Sequence, residues 1–186
     1  GAFTNEEVTQ RIAQAALEAL EGRGAFVEEI VAAAKGGFEV VVRAISGTGV
    51  PSLDSSCEFS GSYTERVTES GNSALIADLK NSVYVSTASA KTDTSASAIV
   101  VPLGDPQKAK GALFVLSAPN GHFREQDVER AAIFGHLAAL AYEKITLLEV
   151  AHEGRRKLET VLQSRSRLIR GFTHDVKNPV GAADGY

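Results

Sequence analysis

The sequence has no methionine, no tryptophan and a single cysteine, Cys57. One cysteine cannot form an internal disulfide, which excludes the disulfide-stabilised class of small secreted domains and is compatible with a reducing compartment. Because methionine is missing even at position 1, we expect the chain to be an excised or processed piece of a longer protein.

Long apolar runs are also missing. The sequence has no uninterrupted run of 18 apolar residues and no signal peptide, which predicts a chain without a membrane segment and a cytoplasmic location. The net charge of −4, without a basic stripe interleaved with aromatic residues, argues against general nucleic-acid binding. A hydrophobic share of 44% is ordinary for a globular protein, and 186 residues suffice for one domain and an extended part.

The first third of the chain predicts two helices. Thr4 is a plausible N-cap for a helix over residues 4–20, since Glu6 and Glu7 lie in its first turn and apolar residues follow at helical spacing. Residues 25–35, with an alanine run near their end, are predicted as a second helix that stops at two glycines.

The middle of the chain predicts strands. β-Branched residues and flanking turn residues indicate a strand over residues 38–45, a weaker strand over 55–59 that pairs with it, and two strong strands over 98–103 and 111–116 joined by a hairpin loop. A short helix is predicted at 63–69 and a loop at 86–97, and the state of 73–79 is left open. The order indicates an α+β fold, an antiparallel sheet flanked by helices.

From Arg124 onward the sequence predicts one long helix with a heptad seam. Steps of four and three residues give these seam positions: Ile133, Leu137, Leu140, Lys144, Leu147, Ala151, Gly154, Leu158, Val161, Arg165, Leu168 and Phe172. We interpret the helix as a dimeric coiled-coil signalling helix that is weak at Lys144, Gly154 and Arg165. The alternative is an imperfect long helix that packs partly on its own domain.

Near the end of this helix a histidine is followed by a carboxylate, an amide and a proline: His174, Asp175, Asn178 and Pro179. Residues i and i+4 share a helix face, so His174 and Asn178 are expected to be neighbours. A neutral imidazole is a competent nucleophile, and an adjacent carboxylate can accept its second N–H and stabilise the cation formed on attack. After Phe172 the seam continues at Asp175, which places His174 off the dimer axis.

The run Phe-Thr-His-Asp-Val-Lys-Asn-Pro resembles the phosphoacceptor box of sensor histidine kinases of two-component systems. The resemblance implies that His174 takes the γ-phosphoryl group of ATP and passes it to an aspartate of a response regulator. It implies that Asp175 acts as base and orienting group, and that Asn178 positions water when the phosphorylated regulator is hydrolysed.

Residues 4–148 resemble a GAF domain, through Ile99-Val100-Val101-Pro102-Leu103, the strand beginning at Lys110, and Phe123 with Asp127 at the last helix. A PAS domain shares the general plan and is the less favoured alternative. The expected organisation is a GAF-like sensor domain over 4–148, a coiled-coil linker over 149–170 and the start of a dimerisation and phosphoacceptor helix over 171–186.

The resemblance also implies partners. We expect a homodimer through the C-terminal helix, a response regulator, and a small-molecule or protein input at the GAF domain. No cofactor is expected in this segment, whereas ATP and Mg²⁺ belong to an ATP-binding domain that the sequence lacks, so the segment alone should be inactive. The alternative function is a non-catalytic, dimerising GAF ligand-binding module.

The other candidate sites have weaker support in the sequence. Cys57 could attach a bilin, as in GAF photoreceptors, but no histidine follows it and an unreactive thiol is favoured. His122, His136 and His152 lack metal-ligand spacing with Cys57, and the signature of cyclic-nucleotide-binding GAF domains is missing.

Overall fold

The structure, a computed structural model, describes residues 4–79, 97–104 and 109–177, with side chains as far as residue 170. The helices are α1 (Asn5–Ala19), α2 (Tyr63–Ser70) and α3 (Glu125–Lys177). The strands are β1 (Gly24–Ala32), β2 (Phe38–Gly47), β3 (Ser56–Glu58), β4 (Ala74–Ile76), β5 (Ala98–Leu103) and β6 (Gly111–Leu116). The chain divides into two compact units, Gly1–Ile145 and Thr146–Tyr186.

The described strands form one antiparallel sheet in the order β3-β2-β1-β6-β5-β4. The predicted α+β class, with an antiparallel sheet, flanking helices and a long C-terminal helix, is confirmed. The sequence-adjacent hairpins β1–β2 and β5–β6 are joined through the β1–β6 pairing, which makes β1 and β6 the two central strands. Both strands pair on both edges; β6 and its neighbour β5 are buried along their whole length, and β1 is buried from Gly24 to Glu28.

The helix predicted over residues 25–35 is wrong, because most of this segment is β1, from Gly24 to Ala32. Its glutamates and alanines are good helix formers, but β1 pairs along its length with β2 and for six residues with β6. Tertiary pairing of a central strand outweighs intrinsic propensity, which amounts to only about 1 kcal/mol per residue or less. Gly36 and Gly37 have positive φ angles of 91° and 82° and form the turn between β1 and β2 rather than a helix end.

The other predicted elements are largely confirmed. The strong strands over 98–103 and 111–116 are β5 and β6, and the predicted pairing of the weaker strand with its predecessor is the β2–β3 pairing. The short helix is α2, which ends at Gly71 with a left-handed φ of 68°. Within the segment left open, Ala74–Ile76 forms the edge strand β4. Most of the predicted loop over 86–97 and residues 105–108 of the predicted hairpin loop lie outside the described residues.

The first helix begins as the sequence indicates. Thr4 is its N-cap: the Glu7 backbone N–H donates to Thr4 Oγ1 over 3.2 Å, and the Thr4 backbone N–H donates to Glu7 Oε2 over 3.0 Å. This reciprocal capping box satisfies two backbone donors that a helix start leaves without partners. Ile12, Ala13 and Ala16 form its buried side.

The sheet has a core on each face. The first core contains side chains of α1, the sheet and the first part of α3. The second contains side chains of α2 and the sheet, with the rings of Phe26 and Phe114 stacked at a centroid distance of 4.5 Å. The two faces therefore carry different helices, and residues that alternate along β1 face different cores.

Within the first unit, α3 packs on the sheet through small residues. Ala131, Gly135 and Ala138 are buried, and a Cβ on Gly135 would lie only 2.7 Å from the carbonyl oxygen of Pro102 on β5. Small side chains let the helix approach the sheet closely. The seam residues Ile133, Leu137 and Leu140 are instead more than half exposed.

By length and composition, α3 includes a window apolar enough to cross a membrane, with a mean hydropathy of 1.3. This is weak evidence for a membrane span, since a helix with one face on a sheet and an apolar seam on another has the same composition. The expected absence of a membrane segment stays a prediction.

Candidate functional site

The structure places His174 and Asp175 on the backbone of α3, which is helical through Lys177. Successive residues of an α-helix are separated by about 100° around its axis, so the two positions are adjacent on one side of the helix. Asn178, the third predicted site residue, lies outside the described residues. The roles of all three residues stay predictions.

The helix leading to this box exposes its apolar seam. Every described side chain from 146 to 170 is exposed, including Leu147, Leu158, Val161 and Leu168 at seam positions. Exposed Leu and Val at a heptad spacing are typical of a helix that pairs with another helix. Arg155 and Glu159, which are not seam residues, form an ion pair of 2.9 Å at i,i+4 spacing.

A second candidate site is a buried carboxyl group in the sheet. Glu28 lies on β1, opposite Val42 of β2 on one side and Ala112 of β6 on the other. Val42 and Ala112 belong to the core under α2, and the Glu28 side chain is only 2% exposed. An acidic side chain thus lies among apolar side chains, where an ionised carboxylate is unfavourable.

The hydrogen bond of this carboxyl comes from α2: Thr64 Oγ1 donates to Glu28 Oε2 over 2.5 Å. Burial raises the pKa of Glu28 from 4.5 to about 7, and the Thr64 hydrogen bond opposes that rise. The group is therefore poised to change its charge near neutral pH. Titratable side chains with strongly shifted pKa values inside a domain are candidates for ligand recognition.

Glu28 is not among the residues predicted from sequence, because residues 25–35 are predicted as a helix, on which adjacent glutamates are typical of a solvated surface. The sequence does contain a signal for it: Glu28 and Glu29 lie between the apolar residues Val27 and Ile30. If this segment is a strand, side chains alternate between its two faces, so one of the two glutamates must point inward. The register shift between β1 and β2 places the extra residue, Arg43, on β2, so β1 itself alternates without interruption and sends Glu28 and Glu29 to opposite faces.

The cysteine and the other histidines considered as candidate metal ligands do not lie together. Cys57 is partly buried on β3, whereas His122, His136 and His152 are exposed on a loop and on α3. Within residues 4–79, 97–104 and 109–170, no group of three His, Cys, Asp or Glu side chains could hold a metal ion.

Comparison with known proteins gives no match to any family model and no match among curated protein sequences. Solved structures do match. The second GAF domain of DevS from Mycobacterium smegmatis superposes with a TM-score of 0.64 at 17% identity, over 80% of this chain and 99% of that one.

Two further structures have the same architecture. The GAF domain of PixJ from Thermosynechococcus elongatus, in its blue-light absorbing form, has a TM-score of 0.64 at 15% identity, over 81% of this chain and 91% of that one. Free methionine-R-sulfoxide reductase from Neisseria meningitidis has a TM-score of 0.59 at 18% identity, over 75% of this chain and 78% of that one. At these identities the likeness concerns the fold alone, and the fold of this chain is that of a GAF domain.

Proposed function

We propose that this chain is the GAF sensor domain and phosphoacceptor segment of a two-component histidine kinase. The observation that carries the proposal is the run from Phe172 to Pro179, whose His174 and Asp175 follow an exposed apolar seam on one continuous helix. The backbone is helical through Lys177, in agreement with the helical arrangement from which the roles of these two residues are argued.

In the proposed reaction, a ring nitrogen of neutral His174 attacks the γ-phosphorus of ATP in line with the bond to the β-bridging oxygen. A P–N bond forms, the P–O bond breaks and ADP leaves. Asp175 accepts the hydrogen bond of the other ring N–H and stabilises the positive charge that develops on the imidazole, which keeps that proton. The carboxylate of a response-regulator aspartate then attacks the phosphorus and releases neutral His174, and Asn178 positions water in the phosphatase phase.

In this proposal the GAF domain receives the input signal, and α3 forms the dimer interface. We propose that the apolar seam pairs with the seam of a second copy, because it is exposed both within the first unit and beyond residue 145. The face under α2, where Glu28 is buried, is the proposed place at which a small molecule is sensed.

The test is phosphotransfer from radiolabelled ATP by a separately purified histidine-kinase ATP-binding domain to the chain extended through its second bundle helix. The wild type should gain an acid-labile, base-stable label, and His174→Gln should gain none. His152→Gln is the matched control, because His152 is exposed on the same helix outside the box, and it should be labelled normally. Label retained by His174→Gln would refute the phosphoacceptor assignment.

A non-catalytic, dimerising GAF ligand-binding module is the second candidate. It is favoured by the Glu28 site, which lies within the domain and needs no kinase chemistry to explain it. If the wild type stays unlabelled while the ATP-binding domain labels another substrate, this second function replaces the first.

A further inference from the structure

Three basic residues share one side of α3 with His174. Arg167, Arg170, His174 and Lys177 follow one another at steps of three, four and three residues. Because each residue of an α-helix is rotated by about 100° from the one before, these four positions lie within about 80° of one another around the helix axis. We call this side of the helix the acceptor face.

The acceptor face lies opposite the apolar seam. Leu168 and Phe172 are the seam positions between Arg167 and His174. By the same rotation they lie roughly 140–180° around the helix from the middle of the acceptor face. The side chains of Arg167 and Arg170 are exposed. A partner helix on the seam therefore leaves these two arginines accessible to a ligand.

Arg167 and Arg170 have no acidic partner among the side chains that the structure describes. Arg155, earlier on the same helix, does pair with Glu159, over 2.9 Å. The sequence accounts for the difference, since no Asp or Glu occurs between Glu159 and Asp175. The two guanidinium charges are thus not neutralised by any of the described side chains.

Phosphotransfer brings negative charge to this face. A phosphoryl group carries about two negative charges at pH 7. Asp175 adds another on the residue beside His174. Like charges at such short range repel, so a cation near His174 stabilises the transferred group. Arginine suits this task because its planar guanidinium can donate two parallel hydrogen bonds to phosphate oxygens.

Arg170 is the nearer of the two arginines to the phosphoacceptor position. It precedes His174 by four residues, and the Cβ atoms of residues at this spacing are about 5–6 Å apart. A helical side chain leans toward the N-terminal end of its helix, so it covers the turn before its own residue. Arg170 belongs to the turn before His174, whereas Arg167 lies about 10 Å from His174 along the axis.

We propose that Arg170, supported by the charge of Arg167, pairs with the oxygens of the phosphoryl group while that group passes from ATP to His174. The inference rests on the phosphotransfer function proposed above and adds a residue to the same site. Arg170 neither forms nor breaks a covalent bond. Its guanidinium donates hydrogen bonds and offsets the charge that is spread over the phosphoryl oxygens in the transition state.

The test compares variants in the phosphotransfer assay described above, with saturating radiolabelled ATP and a varied concentration of the chain. Arg170→Gln should lower the maximal rate of labelling about tenfold or more, which is less than the loss of an arginine buried in a phosphoryl-transfer site causes. The chain concentration that gives half the maximal rate should change little, because the contact is made to the group in transfer. Arg170→Lys keeps the positive charge and should recover most of the rate.

Arg156→Gln is the matched control. Arg156 is exposed on the same side of α3. It lies about 27 Å from His174 along the helix axis, a distance at which salt screens its charge. This variant should be labelled at the wild-type rate, and circular dichroism should show equal helix content for all variants.

Three results would overturn the proposal: a wild-type rate for Arg170→Gln, an equal loss of rate for Arg156→Gln, or a loss for Arg170→Gln that disappears at saturating chain concentration. The last result would show that Arg170 docks the ATP-binding domain and does not contact the phosphoryl group. If the wild type itself gains no label, the proposed function and this inference fail together. If the wild type and Arg170→Gln are labelled at equal rates, only this inference fails.

Discussion

Thr64 Oγ1 and Glu28 Oε2 lie 2.5 Å apart, which joins α2 to the central strand β1 by a buried hydrogen bond. The position of Thr64 follows from the start of α2, where Ser62 is the N-cap and its Oγ accepts from the Glu65 backbone N–H over 3.0 Å. The turn that caps the helix thus also aims its second residue at the buried acid. The state of that acid should therefore affect the stability of the whole domain.

The stability of the domain should decrease as the pH rises through 7. Glu28 has a raised pKa of about 7 in the folded chain against an ordinary 4.5, so the folded state binds more protons between these values. The contribution of the protonated Glu28 carboxyl to the free energy of unfolding is about 3 kcal/mol. It is fully present below the unfolded pKa and is lost as the pH rises through the folded pKa. Urea unfolding at pH 5, 6, 7 and 8 measures it.

Glu28→Gln should remove this part of the pH dependence, because the amide is neutral throughout. The free energy of unfolding of the variant minus that of the wild type should be larger at pH 8 than at pH 5. Glu69→Gln is the control, since Glu69 is exposed on α2, and its pH profile should match that of the wild type. Parallel profiles for wild type and Glu28→Gln would contradict the prediction.

Thr64→Val should destabilise the domain, and more so at pH 8 than at pH 5. Valine keeps the shape of threonine but leaves the Glu28 carboxyl without the Thr64 donor, which costs about 1–3 kcal/mol and most when the acid is ionised. Thr68→Val provides the comparison, because the Thr68 hydroxyl is bonded to backbone carbonyls of its own helix. If Thr64→Val lowers the free energy of unfolding equally at pH 5 and pH 8, the Thr64 hydroxyl does not stabilise the ionised carboxylate.

Gly135→Ala and Gly154→Ala should have opposite effects although both glycines lie on α3. At Gly135 the new Cβ would lie 2.7 Å from the Pro102 carbonyl oxygen and 2.8 Å from Val101 Cγ1, so helix and sheet must separate at a cost of about 1–3 kcal/mol. At Gly154 no atom lies within 4 Å, and alanine should stabilise the helix by up to about 1 kcal/mol. Thermal unfolding and helix content by circular dichroism measure the two effects.

Leu158→Glu with Val161→Glu should convert a dimer into a monomer in sedimentation equilibrium. Both side chains are exposed at seam positions, with exposed fractions of 60% and 62%, and charges there would face each other across a paired helix. Gln163→Glu adds a charge outside the seam and should leave the dimer intact. A wild type that is already monomeric at the highest concentration studied would exclude the coiled-coil interpretation.

Local sequence patterns were sufficient to predict several elements, because the residues of those elements favour the observed structure by themselves. β5 and β6 are continuous apolar runs bounded by turn residues, and the observed bounds, Ala98–Leu103 and Gly111–Leu116, match the predicted ones. The α1 start is specified by Thr4 and Glu7, which satisfy each other's backbone donors within one turn. The phosphoacceptor prediction likewise rests on eight consecutive residues and needs no tertiary information.

Tertiary structure decided what local pattern could not. Residues 24–32 became a strand because β2 and β6 supply hydrogen bonds on both edges, although their glutamates and alanines favour a helix. The same pairing buries Glu28 and leaves Glu29 half-exposed in an ion pair with Arg43, so two adjacent and chemically identical residues acquire different environments. The sequence by itself determined where α1, α2, α3, β5 and β6 begin, and it carries the run from Phe172 to Pro179 on which the phosphoacceptor prediction rests. The packing of the sheet and α2 decided which carboxyl is removed from water, because burial depends on neighbours that are distant along the chain.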